Sequence, residues 1–139
     1  MSEQETEALQ AALAGEHAAV WAYGLIGARL RGAERRAALS ALSVHQARRD
    51  RLVDLVRAAK AEPVVASPGY DHPAPVDTAA EAELLAVLVE ERVAAVHADL
   101  VVAGTPAVRT LALDALQEAA VRAALWRGGS VPFPGLPER

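Results

Sequence analysis

Six ionisable residues stand where apolar ones are expected: Glu16, His45, Arg49, Glu91, Glu118 and Arg122 each fall on the apolar stripe of a helical pattern. In the stretch LAGEHAAVWAYG, Glu16 shares its stripe with Leu9, Leu13, Val20 and Tyr23. A charge removed from water is costly unless it is paired, hydrogen-bonded or metal-bound. Carboxylates with imidazole can ligate a divalent metal ion. Carboxylates facing guanidinium forks form bidentate ion pairs instead. The helical phase leaves Glu90 as an alternative to Glu91 as the inward residue.

Four helical segments carry these residues. Ser2 with Glu5 reads as a capping box opening the first helix, whose stripe continues through Gly27 and Leu30 until Gly32 offers a left-handed stop. The second helix carries Leu42, His45, Arg49, Leu52 and Val56 and ends near Glu62 and Pro63. Residues 63–76, with four prolines and no helical period, read as an extended crossover. Fourteen extended residues reach on the order of 46 Å, enough to run beside a helix of about 27 residues, roughly 40 Å long.

A second capping box, Thr78 with Glu81, opens the third helix, with Leu84, Leu88, Glu91, Ala95 and Val102 on its stripe and Gly104 at its end. Thr105 is placed to cap the fourth helix, with Pro106 in its first turn and Val108, Leu111, Ala115, Glu118, Arg122 and Leu125 inward. Residues 128–139 are too rich in glycine and proline for a helix. Short, long and short connections between four helices describe a single all-α domain over residues 1–139, a four-helix bundle of ferritin-like topology with its crossover between helices two and three.

A chain of 139 residues is the size of one domain. Its net charge of -4 and 4% aromatic content argue against a nucleic-acid surface. The absence of cysteine excludes disulfides, thiolate metal sites and cysteine nucleophiles. The acidic start MSEQETEALQ lacks the features of a signal peptide, and no apolar run is long enough for a membrane span, so a cytoplasmic protein without a membrane partner is expected. His17 reads as a boundary residue, His97 as a surface or dimer-interface residue and His72 as loop, while Trp21, Tyr23 and Trp126 read as packing aromatics. Val89, Val93, Val96 and Leu100, well away from Glu91 in helical phase, suggest a second apolar face and hence a symmetric homodimer.

The segments EHAAVWAYG, HQARRD, EERVAA, EAAVRAALW and VPFPGLPER give the chain a resemblance to the ferritin-like superfamily, and more closely to an actinobacterial ferritin-like family classed as a domain of unknown function. The resemblance implies a four-helix fold and dimerisation but no established reaction. In di-metal members, two helices supply one Glu each and two supply Glu-x-x-His. Glu16 and Glu91 match the lone glutamates, His45 the second-helix histidine and Glu118 the fourth-helix glutamate, so these four are the candidate metal ligands, with iron or manganese as the metal. Leu42 and Val121 stand where a further carboxylate and a further histidine belong.

Arg49 and Arg122 supply the charge that metal supplies elsewhere, which favours a network of Glu16, His45, Arg49, Glu91, Glu118 and Arg122 in place of a cofactor. The expectation is therefore a degenerate di-metal site in a bundle with a structural or binding role and no assigned catalytic residue. A metal-binding protein or metal-dependent oxidoreductase is the first alternative. A bundle holding a small anion between Arg49 and Arg122 is the second.

Overall fold

The computed structural model describes residues 2–72 and 74–128. Four α-helices account for most of them: α1 (Glu3–Arg29), α2 (Gly32–Ala58), α3 (Ala79–Ala103) and α4 (Pro106–Arg127). No strand occurs among the described residues. The expected tail over residues 129–139 lies outside them.

The helix ends follow local chemistry, with three departures from the sequence reading. Thr78 and Glu81 complete the reciprocal capping box of α3. Ser2 accepts from the Glu5 amide, but the Glu5 carboxylate does not return to Ser2. It accepts instead from the amide and hydroxyl of Thr105, each at 2.8 Å, so Thr105 makes no side-chain cap of its own and Glu5 serves the start of α4 from another helix. The second helix stops at Ala58, before the expected Glu62 and Pro63. There the Lys60 and Ala61 amides bond to the Arg57 and Val56 carbonyls with Lys60 left-handed at φ 65°, a Schellman closure without the usual glycine.

Side-chain bonds fix the topology. Along α1, Gln10 holds the Glu62 carbonyl and the Val64 amide, His17 bonds the Val64 carbonyl, Trp21 packs on Tyr70 and His72, and Arg29 holds the Val76 carbonyl. The described residues of the strap therefore run along α1 from Gln10 to its end at Arg29. The α1–α3 contacts Tyr23–Glu90, Glu16–His97 and Glu5–Thr105 descend in antiparallel order. Since α2 is also antiparallel to α1, α2 and α3 run in the same direction and the strap is the crossover between them. A local turn between antiparallel neighbours is excluded.

Close backbone packing joins α1 to α2, α1 to α3 and α3 to α4. Gly15 permits the α1–α3 approach, since a Cβ there would lie 3.0 Å from a Val96 methyl. Two apolar layers fill the interior. One contains Leu9, Leu13, Leu52, Val56, Leu100 and Val108, and the other Tyr23, Ile26, Leu30, Val76, Leu85 and Val93.

The sequence stripe is in phase on α1 and out of phase on α3. The buried residues of α3 include Leu85, Val89, Glu90, Val93, Ala94, His97 and Leu100, while Leu84 and Val102 are exposed. Val89, Val93 and Leu100, assigned to a dimer face, thus belong to the core. In α4 the buried seam is Val108, Ala112, Ala115, Ala119 and Ala123, and Leu125 points to solvent.

Candidate functional site

Between the two apolar layers lies a layer of buried polar side chains. Glu16 from α1, His45 from α2, and Glu90 and His97 from α3 are each at most 1% exposed. His45 is the bridge: its Nδ1 lies 2.6 Å from Glu16 Oε2 and its Nε2 2.9 Å from Glu90 Oε2. A carboxylate oxygen only accepts, so both ring nitrogens donate and the ring is an imidazolium. His97 Nε2 donates to Glu16 Oε1 at 3.0 Å. The Tyr23 hydroxyl donates to Glu90 Oε2, accepts from the Trp126 indole at 3.1 Å, and its ring stacks on His45 with centroids 5.4 Å apart.

Charge balance accompanies this geometry. Burial acts to raise the Glu16 pKa, but hydrogen bonds and positive charge from His45 and His97 prevail and hold it at about 2. Burial likewise acts to lower that of His45, and the bonds and charges of Glu16 and Glu90 overcome it, pushing it up to about 9. Tyr23 is raised far above its ordinary range by burial first and then by the Glu90 carboxylate, so it stays a neutral donor. Arg122 Nη1 faces Glu90 Oε1 across 3.6 Å, an ion pair too long for a hydrogen bond. His97 Nδ1 and Glu90 Oε1 are buried without a hydrogen-bond partner among the described residues.

Of the six sequence-predicted residues, the structure brings together Glu16, His45 and Arg122. It does not bring in the other three. Glu91 is exposed and pairs with Arg127, because the inward phase belongs to Glu90. Glu118 is 48% exposed and bonds Arg48 on the outside. Arg49 turns to Asp50, the next residue along its own helix. His97, read as a surface residue, is fully buried against Glu16. Its spacing of seven residues from Glu90 put both on one side of α3, a signal that pointed inward once Glu90 replaced Glu91. His17 binds the strap carbonyl of Val64 and does not reach the layer.

A di-metal centre does not fit these residues as they are arranged. Both nitrogens of His45 carry protons, both oxygens of Glu16 accept from imidazoles, and the fourth-helix carboxylate Glu118 lies outside. Among the described residues no group of three or more His, Asp or Glu is disposed to hold a metal ion. The set offers a chain of proton-sharing contacts from Trp126 through Tyr23, Glu90, His45 and Glu16 to His97, with no activated nucleophile in it.

No helix among the described residues is long and apolar enough to cross a membrane. Comparison with curated proteins returns no match. Among solved structures the chain is similar to that of a conserved hypothetical protein, rv2844, from Mycobacterium tuberculosis, with 33% sequence identity, a TM-score of 0.88, and coverage of 92% of this chain and 98% of that one. Residues 8–138 match a family described as a domain of unknown function, DUF4439, and the chain belongs to that family.

Proposed function

We propose that this protein is a ferritin-like bundle in which a buried, proton-bridged charge network replaces the di-metal centre, and that its role is structural or binding, without redox catalysis. One observation carries the reading: the His45 ring places both nitrogens on carboxylates from two other helices. That arrangement gives the charges of Glu16 and Glu90 a partner inside the fold and leaves no ring lone pair for a metal. Arg122 supplies further positive charge beside Glu90. The role needs no resident cofactor, and a cytoplasmic setting suits a chain without cysteine. An anion held between two arginines is not favoured, because Arg49 is turned to Asp50. Nor is nucleic acid, since Arg48 and Arg49 of α2 are paired with carboxylates.

The test has two readouts on the purified full chain. Nitrogen NMR of the histidine rings at neutral pH is expected to show His45 protonated at both nitrogens. Elemental analysis is expected to find no stoichiometric iron, manganese or zinc, and chelators to leave the melting temperature unchanged. One transition metal per chain, lost in Glu16→Ala or His45→Ala, would overturn the reading and establish a metal-binding protein.

A further inference from the structure

We propose that the groove between the end of the strap and the start of α3 receives Phe133, carried there by the segment that follows α4. The groove has a volume of about 180 Å³ and is walled by Ala74, Pro75 and Val76 of the strap and by Leu84, Leu85 and Leu88 of α3. Glu81 beside it directs its carboxylate to the backbone of Asp77 and Thr78, which leaves the lining apolar. Leu84, on the lip, is 70% exposed. An apolar cavity of about 150 Å³ is large enough to hold benzene, so the groove has room for one aromatic ring.

The register of α4 on α3 says which ring. The two helices are antiparallel, and the last turn of α4 is tied to the outward side of α3 by the Arg127–Glu91 ion pair. Glu91 shares its side of α3 with Leu88 and Leu84, three and seven residues earlier. The chain therefore leaves α4 on the stripe that leads to the groove and heads towards it, with Leu84 about 10.5 Å beyond Glu91 along the helix. Gly128 closes α4 in the left-handed region at φ 83°, its amide on the Ala124 carbonyl. Phe133, the chain's single phenylalanine, is five residues further on, and five extended residues reach about 17 Å. Val131, Phe133 and Leu136 each precede a proline. A residue before proline is restricted to extended backbone, so little freedom is lost when such a segment docks. The family match runs through residue 138, which makes this segment part of the domain. A ring in the groove joins the strap to α3 at the end where Arg29 holds the Val76 carbonyl.

Methyl NMR of the full chain is the experiment. With one phenylalanine in the chain, its ring is observed without overlap from a second. Nuclear Overhauser contacts are expected between the Phe133 ring and the methyls of Leu84 and Leu88, with those methyls shifted upfield by the ring. Phe133→Ala should abolish the upfield shift and leave the methyls of Val102, exposed at the far end of α3, where they were. Leu84→Asp should remove the ring contacts without changing the helical circular dichroism, since Leu84 is exposed. In a mixture of labelled and unlabelled chains the contacts should arise within one chain. Their appearance only between chains would put a second copy's segment in the groove and overturn the proposal. So would the absence of ring contacts to both leucines, or methyl shifts that Phe133→Ala does not move.

Discussion

Helix α1 turns large side chains inward and α4 turns small ones inward. The buried set of α1 includes Leu9, Leu13, Glu16, Tyr23 and Ile26, whereas α4 buries Val108 and then only Ala112, Ala115, Ala119 and Ala123. The two faces perform different work. Large residues on α1 reach across the interior to α2 and α3, and two polar ones among them, Glu16 and Tyr23, carry the network. The alanine seam of α4 lets its backbone lie close against α3, and α4 contributes to the polar layer from the edge, through Arg122 and Trp126. The charges of the α1–α2–α3 side are thus sealed in, while those of α4 stay near water.

The largest expected effect breaks the sealed side. His45→Leu removes the one cation between Glu16 and Glu90 and leaves two buried carboxylates facing each other, which should destabilise the fold by about 4 kcal/mol, the scale of a half-broken buried pair. Denaturant unfolding measures it. Arg49→Leu, on the same helix but turned to Asp50, should change stability by less than about 1 kcal/mol. A small loss for His45→Leu would mean that the buried network contributes little.

The same network sets a pH dependence of known sign. Glu16 is depressed from 4.5 to about 2, so its contribution is complete above pH 4.5 and lost as pH falls toward 2. His45 is raised from 6.5 to about 9, so its contribution is complete below pH 6.5 and lost as pH rises through 9. Melting temperature should therefore be highest between these limits and decline on the alkaline side. In His45→Leu the alkaline decline should vanish; if it persists, its source lies elsewhere.

The next effect concerns packing, and it bears on what was legible in the sequence. The helices, the crossover and the α3 capping box could be read because proline, glycine and threonine act locally. Glu16 and His45 were legible because leucines and other large residues mark the inward phase of α1 and α2. On α3 apolar residues occupy every side, so periodicity could not choose between Glu90 and Glu91, and a phase error of one residue also misplaced His97. On α4 the pattern misled, since leucine normally marks the core and here the core takes alanine. Ala119→Leu should accordingly cost about 2 kcal/mol through overpacking, while Leu125→Ala, at a position 77% exposed, should fall within about 0.5 kcal/mol of wild type. Thermal unfolding of the pair distinguishes them. Equal losses would mean that α4 presents its leucine face inward.

The smallest effect isolates burial itself. Arg48 and Glu118 link α2 to α4 at 2.7 Å, and His45 and Glu16 link α2 to α1 at 2.6 Å, so distance scarcely separates the two ion pairs. Their surroundings do: Glu118 is 48% exposed and Arg48 15%, against 0% for Glu16 and 1% for His45. Water screens the outer pair and competes for its hydrogen bonds, and two long side chains lose rotamer freedom to form it. A double-mutant cycle with Arg48→Ala and Glu118→Ala should therefore give a coupling of about 0.5 kcal/mol that fades in high salt. The corresponding cycle on Glu16 and His45 should give a coupling several times larger and insensitive to salt, because no mobile ion reaches a layer shielded above and below by apolar residues. Comparable couplings with comparable salt dependence would show that the inner layer is wetted, and the distinction between a sealed α1–α2–α3 side and an open α4 side would fail.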